Sequence, residues 1–74
     1  MLVEVRLFAT FREGRFNKKQ LDVCDGYLLC DLLKQLDIPL NRVGILLVNG
    51  RNTSSQYKLI ENDVISIFPA IAGG

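Results

Sequence analysis

A single amphipathic helix among short strand-like segments constrains the fold of this chain more than any other feature of its sequence. Leucines fall at i, i+3, i+4 and i+7 and form one apolar stripe: Leu29, Leu32, Leu33 and Leu36. Asp25 is the predicted N-cap, and the helical pattern begins at Tyr27. Asp37 and Pro39 are expected to end it. The stripe is too short for a partner coiled coil, so it indicates a core-facing helix.

The segments on either side of the helix have the patterns of strands. Predicted strands span residues 2–8, 19–23, 45–48, 51–53 and 64–68. The first of them alternates apolar and polar residues, as a half-buried strand does. Asn49-Gly50 predicts a tight hairpin because both residues tolerate a positive φ. Residues 9–18 are expected to form a turn or loop, and residues 54–59 an irregular segment or a single helical turn.

The resulting order, β-β-α-β-β-β, predicts an α+β fold. One main helix would pack on one face of a mixed sheet of four or five strands. Seventy-four residues make a single domain, 1–74. The last strand can lie beside the first in the middle of the sheet. A flexible tail from about residue 69 would then leave from an anchored element.

Composition excludes several kinds of function. Nine basic and eight acidic residues are spread along the chain, so no basic stripe indicates nucleic-acid binding. Histidine, the most frequent general base and metal ligand, is absent. Cys24 and Cys30 lie six positions apart, a spacing typical of neither a redox pair nor a zinc site. Cys30 is interpreted as core packing, with a disulfide as the minor alternative.

No segment of the sequence indicates a membrane or a secretory route. Met1 leads directly into an alternating strand without the apolar run of a signal peptide. No apolar stretch approaches the length of a membrane span. We therefore expect a cytoplasmic protein with no membrane partner.

The sequence finishes with Gly73-Gly74, close behind an apolar strand and Pro69. Taken as the end of the polypeptide, Gly74 would present the least hindered carboxylate that a protein can offer. Extended chain from Pro69 reaches roughly 17 Å, at about 3.3–3.6 Å per residue. Small residues are also common in frayed termini, but such tails are usually polar, whereas Phe68 and Ile71 flank this one. We expect the active site of another protein to receive the Gly74 carboxylate.

A docking surface is predicted at the root of this tail. Ser66 suggests that its side of the last strand faces outward, which places Phe68 on the outer face. In the first strand Phe8 shares a face with Glu4 and Arg6. If the two strands are neighbours, Phe8 and Phe68 form an exposed apolar patch, a frequent mark of a binding surface. The alternative is that Phe8 packs under the long loop.

Three motifs resemble the ubiquitin-like sulfur carriers, and the resemblance covers the whole chain. They are Val5-Arg6-Leu7-Phe8-Ala9 with Phe11-Arg12-Glu13, Val48-Asn49-Gly50, and Asp63 followed by Phe68-Pro69 and Gly73-Gly74. The last is similar to the ending of the small subunit of molybdopterin synthase, more than to the thiamine thiazole sulfur carrier. Ala70 stands where that subunit usually has a second proline, and Asn62 where it usually has glycine.

The resemblance implies a β-grasp fold and a non-catalytic sulfur-carrying subunit with no permanently bound cofactor. A partner of the ubiquitin-activating type would adenylate Gly74 with ATP and magnesium. A sulfur donor system would then convert it to a thiocarboxylate. The large subunit of molybdopterin synthase would receive the tail through Gly73, Phe68, Pro69, Ile71 and Phe8.

Other functions remain open at the level of sequence. Related carriers serve thiamine, tungsten-type pterin cofactors and other sulfur pathways. A ubiquitin-like protein modifier would join Gly74 to a lysine of its target, although modifiers usually carry a basic residue near the glycines. A plain interaction domain with an inert tail is the third class.

Overall fold

The computed structural model describes residues 1–70, and these form one sheet with one α-helix. The strands are β1 (Leu2–Leu7), β2 (Lys18–Asp22), β3 (Val43–Val48), β4 (Arg51–Asn52) and β5 (Val64–Pro69). The helix is α1 (Leu29–Gln35), and short 3-10 turns span Ala9–Arg12 and Leu40–Arg42. The predicted order of one helix between two and three strands is confirmed.

The strands lie in the order β2-β1-β5-β3-β4. β1 and β5 are parallel, and the other neighbouring pairs are antiparallel. The last strand therefore lies beside the first, in the middle of a mixed five-stranded sheet. This is the α+β, ubiquitin-like β-grasp arrangement predicted from the sequence.

Alternation along the two central strands separates a buried face from an outer face. On β1 the side chains of Val3, Val5 and Leu7 are buried, and on β5 those of Ile65 and Ile67 are fully buried. The leucine stripe covers this face, and three of its members are buried: Leu29, Leu32 and Leu33. The helix therefore packs on one face of the sheet, which we call the inner face, and the opposite face is the outer face.

The predicted start of the helix is wrong by several residues. Leu28, not Asp25, is the N-cap, and its backbone is extended with φ −96° and ψ 156°. Asp31 supplies the local stabilisation because its Oδ2 accepts from the Leu28 N–H over 3.1 Å. A carboxylate in the first turn also interacts favourably with the helix dipole.

The loop after β4 fixes where the helix begins. The N–H of Leu29 donates to the carbonyl of Tyr57 over 2.9 Å, and the N–H of Cys30 donates to that of Ser55 over 2.8 Å. The first N–H groups of a helix have no partner within it. Because residues distant in sequence supply these acceptors, no local pattern could have indicated the start.

Strand ends also differ from the prediction. β1 stops at Leu7, one residue earlier than predicted, and a 3-10 turn opens the segment that was predicted to be a turn or loop. Ala9 enters that turn with φ 52°, a conformation unfavourable for a residue with a Cβ. A hydrogen bond connects this turn to the end of β1, since Arg12 Nε donates to the carbonyl of Leu7 over 2.6 Å. β3 begins at Val43, two residues earlier than predicted.

Within residues 1–70, no helix has the length and apolar character needed to cross a membrane.

Candidate functional site

The two phenylalanines of the predicted patch stack on each other at the edge of the outer face. Their ring centroids lie 4.1 Å apart and their planes are inclined by 9°. The parallel register of β1 and β5 pairs Leu7 with Ile67, so Phe8 and Phe68 follow side by side. Each ring covers one face of the other. As a result both side chains are half-buried, whereas the sequence predicted that they are exposed.

Ile45 extends this pair across the next strand. It lies opposite Phe68 in the β3–β5 pairing, and its side chain is 48% exposed. Sequence reasoning missed this residue because residues 45–48 are apolar throughout and show no alternation. Only the pairing of β3 with β5 reveals that Ile45 shares the face of Phe68.

Phe68 and Ile45 line an open groove at the end of β5. Its apolar lining includes Ala9, Phe11, Ile45, Phe68 and Pro69. An exposed apolar groove of this kind is typical of a surface that another protein covers. We call it the tail-root groove, because β5 leads from it to residues 71–74.

Two arginines place positive charge near these residues, Arg12 beside the phenylalanine pair and Arg42 in the tail-root groove itself. The Cζ of Arg12 lies 5.2 Å from the centroid of the Phe8 ring, within the range of a cation–π interaction. Arg42 lines the groove on the β3 side. A partner that covers the groove and the phenylalanine pair together would meet both positive charges, so acidic or hydrogen-bond-accepting groups would complement them.

The predicted tail begins within the sheet. Pro69 still pairs with Val43, and the N–H of Ala70 donates to the carbonyl of Arg42 over 2.9 Å. A proline at position 70 would have no N–H to donate. The sheet therefore includes Pro69, at which the tail was predicted to start. The other predicted site residues, Ile71, Gly73 and Gly74, lie outside the described residues.

Asp63, the buried acid among residues 1–70, has a structural role at the other end of β5. Its side chain is 4% exposed, and Oδ2 accepts from the Tyr57 hydroxyl over 2.9 Å and from the Ile60 N–H over 2.8 Å. Burial is the main cause of a raised pKa at Tyr57, and the hydrogen bond to Asp63 adds to it. Among residues 1–70 no three metal-ligating side chains cluster.

Both cysteines are free thiols, so the disulfide alternative is not realised. Cys30 is half-buried on α1, as expected of a packing residue, whereas Cys24 is exposed in the turn before the helix. Neither thiol lines the tail-root groove.

Comparison with known proteins relates this geometry to a family. Residues 5–74 match the ThiS family. The solved structure of the HVO 2177 protein from Haloferax volcanii is 31% identical with a TM-score of 0.81, and the match covers 100% of this chain and 87% of that one. No curated protein matches the chain.

Two further structures share the fold. One is a protein–protein complex of subunits 1 and 2 of molybdopterin-converting factor from Helicobacter pylori, with 26% identity, a TM-score of 0.67 and 100% coverage of both chains. The other is SAMP1 from Haloferax volcanii, with 23% identity, a TM-score of 0.78 and 100% coverage of both chains. At this level of identity the SAMP1 match supports the fold alone.

Proposed function

Because the chain belongs to the ThiS family of ubiquitin-like sulfur carriers, we propose that it carries sulfur on Gly74 and donates it during molybdopterin synthesis. The observation that carries this proposal is the tail-root groove. Its apolar lining lies at the point where β5 leads toward Gly73 and Gly74. A partner that covers the groove would therefore receive the following residues in its own active site.

Loading requires activation, since a carboxylate is a poor electrophile. An adenylating partner binds ATP and magnesium, and the carboxylate of Gly74 attacks the α-phosphate with loss of pyrophosphate. Hydrosulfide from a sulfur donor then adds to the acyl carbon, and AMP leaves. The product is a thiocarboxylate, which is nucleophilic near neutral pH because a thioacid is more acidic than a thiol.

The second partner in the proposal is the large subunit of molybdopterin synthase, which would supply the catalytic groups. The chain from Helicobacter pylori is found in a complex of subunits 1 and 2, which supports an equivalent contact here. Phe68 and Ile45 in the groove, with Phe8 stacked on Phe68, provide the apolar anchor. Arg42 in the groove and Arg12 beside Phe8 add positive charge. Gly73 and Gly74 have no side chain to hinder entry into a narrow active site.

The Phe68-Pro69 pair favours a pterin cofactor over thiamine as the destination of the sulfur, because it resembles the molybdopterin-synthase subunit. A protein-modifier role shares the adenylation step and differs in the acceptor, a lysine of a target protein. The two roles are distinguished by the group that reacts with activated Gly74, which is sulfide for a carrier and a lysine for a modifier.

Intact-mass measurement tests the proposal. The chain is incubated with an adenylating enzyme of the same organism, ATP, magnesium and sulfide, and then with the large subunit and the sulfur-free pterin precursor. We expect one oxygen-to-sulfur exchange, which reverses only when large subunit and precursor are both present. A ladder of conjugates would instead identify a modifier, and an unchanged mass would identify an inert domain.

A further inference from the structure

β3 has one extra residue where it pairs with the end of β5. Val43 pairs with Pro69 and Ile45 with Phe68, so Gly44 is left between them without a partner. An extra residue of this kind is a β-bulge, which bends its strand and redirects the neighbouring chain. This bulge lies at the end of β5, next to the tail-root groove.

Close approach of backbone, rather than an unusual φ, requires glycine at position 44. A Cβ on Gly44 would lie 2.8 Å from the Pro69 carbonyl oxygen, 2.9 Å from Ala70 Cα and 3.1 Å from Ala70 N. These atoms all belong to the backbone, so no side chain could rotate away to relieve the contact. The backbone of residues 69 and 70 would have to move.

Gly44 differs in this respect from the other glycines of the described chain. Gly14, Gly26 and Gly50 all have a positive φ, and a Cβ on any of them would meet nothing within 4 Å. Alanine at those positions would strain its own backbone without touching another segment. Among the glycines of residues 1–70, only Gly44 makes room for β5 by lacking a side chain.

The same contact region holds the last hydrogen bond of the described sheet. The Ala70 N–H donates to the Arg42 carbonyl over 2.9 Å, two positions before Gly44. A shift of Ala70 away from a new Cβ would lengthen this bond. Position and direction of the chain at Ala70 are thus set by Gly44 and the Arg42 carbonyl together.

We propose that Gly44 is a positioning residue that holds the Ala70 backbone against β3 and so aims residues 71–74 at the active sites of the partners. The functional part of this inference rests on the proposed role of Gly74. Its structural part, the placement of Ala70, does not.

The test combines amide exchange with sulfur loading in Gly44→Ala, with Gly26→Ala as the matched control. In Gly44→Ala, protection of the Ala70 amide should fall about three- to tenfold relative to the Leu7 amide, the loss expected for one hydrogen bond. The rate of thiocarboxylate formation should fall by at least about tenfold, since misplacement by roughly 1 Å can cost a hundredfold. Gly26→Ala should lower the melting temperature and change neither readout.

Other results would overturn the proposal. Unchanged protection of Ala70 in Gly44→Ala removes the structural part, and normal loading despite lost protection removes the functional part. If even the wild-type chain is not loaded, the proposed function fails, while the amide readout still decides the role of Gly44. Should Gly44→Ala not fold, wild-type Ala70 provides a second measurement. Exchange there as fast as in an unstructured peptide would contradict the proposal.

Discussion

Asn49 Nδ2 donates to Asp63 Oδ1 over 2.9 Å and so joins the β3–β4 hairpin to the turn that begins β5. Asn49 Oδ1 also accepts from the Val64 N–H over 3.0 Å, so both ends of its amide are used. Asn49 adopts φ 53°, which asparagine tolerates better than most residues. One side chain therefore shapes the hairpin and fixes the start of β5.

Replacing Asp63 should destabilise the domain strongly. Asp63→Ala leaves the donors of Asn49, Tyr57 and Ile60 without their acceptor, and hydrogen bonds to charged groups contribute roughly 1.5–3 kcal/mol. We expect a loss of at least about 2 kcal/mol in chemical denaturation. Asp25→Ala removes an exposed carboxylate and should change stability by less than about 0.5 kcal/mol. Equal losses in the two variants would show that the Asp63 contacts contribute little.

Alkaline pH should weaken the fold through Tyr57. Its pKa is raised above the ordinary value of 10.0, first by burial and then by the bond to Asp63. The folded state thus holds the hydroxyl proton more tightly than the unfolded state does. This contribution is complete below pH 10 and is lost as the pH rises through the raised value. Denaturation of wild-type and Tyr57→Phe chains between pH 8 and 12 checks the sign.

In that comparison the wild-type chain should lose more stability than Tyr57→Phe as the pH rises above about 10. Tyr27 also has a raised pKa, mainly from burial, and is retained in both chains, so its effect cancels. A steeper decline in Tyr57→Phe would contradict the assignment.

A charge at position 68 should mainly weaken partner binding, whereas a charge at position 67 should mainly destabilise the fold. Phe68→Asp removes an apolar anchor that contributes roughly 1.5–3 kcal/mol when buried, so partner affinity should fall at least about tenfold. Its stacking on Phe8 adds about 0.5–1.5 kcal/mol, so a modest drop in melting temperature is also expected. Ile67 is fully buried, and Ile67→Asp should unfold the domain.

Thermal melting and titration with the large subunit measure both effects. Ile45→Asp is the matched variant on the groove because its side chain is already 48% exposed. It should weaken binding with little change in melting temperature. Full affinity in both Phe68→Asp and Ile45→Asp would remove the tail-root groove from the proposed interface.

The thiols should be dispensable for sulfur transfer. Cys24 is exposed and Cys30 half-buried, so the double alanine variant should lose about 1 kcal/mol or less of packing. Its thiocarboxylate should form at the wild-type rate in the intact-mass assay. If the folded double variant accepts no sulfur, a cysteine rather than Gly74 carries it.

Periodic patterns in the sequence predicted the parts of the fold that depend on burial. The leucine stripe and the alternation in β1 and β5 were sufficient because each places one face against the core. The start of α1 could not be found in this way, since the carbonyls of Tyr57 and Ser55 determine it. Local propensity favoured Asp25 as an N-cap, and a contact distant in sequence overrode it.

In the candidate site, too, some residues could be predicted from local patterns and others depend on contacts distant in sequence. Phe8 and Phe68 were predicted from alternation, and the parallel register of their strands brings them together. Ile45 and Gly44 could not be predicted because their roles depend on the bulge where β3 meets β5. The pairing and register of a strand depend on the other strands of the sheet, so they cannot be predicted from the sequence of that strand alone.

The location of the incoming sulfur tests the central claim most directly. Cleavage after lysine and arginine releases residues 59–74 as one peptide, and Cys24 and Cys30 together in residues 20–34. After loading, fragment masses should place one oxygen-to-sulfur exchange at Gly74, with residues 20–34 unchanged. A chain without Gly74 should keep its melting temperature and show no exchange. Sulfur found on residues 20–34, or normal loading of the shortened chain, would contradict the account.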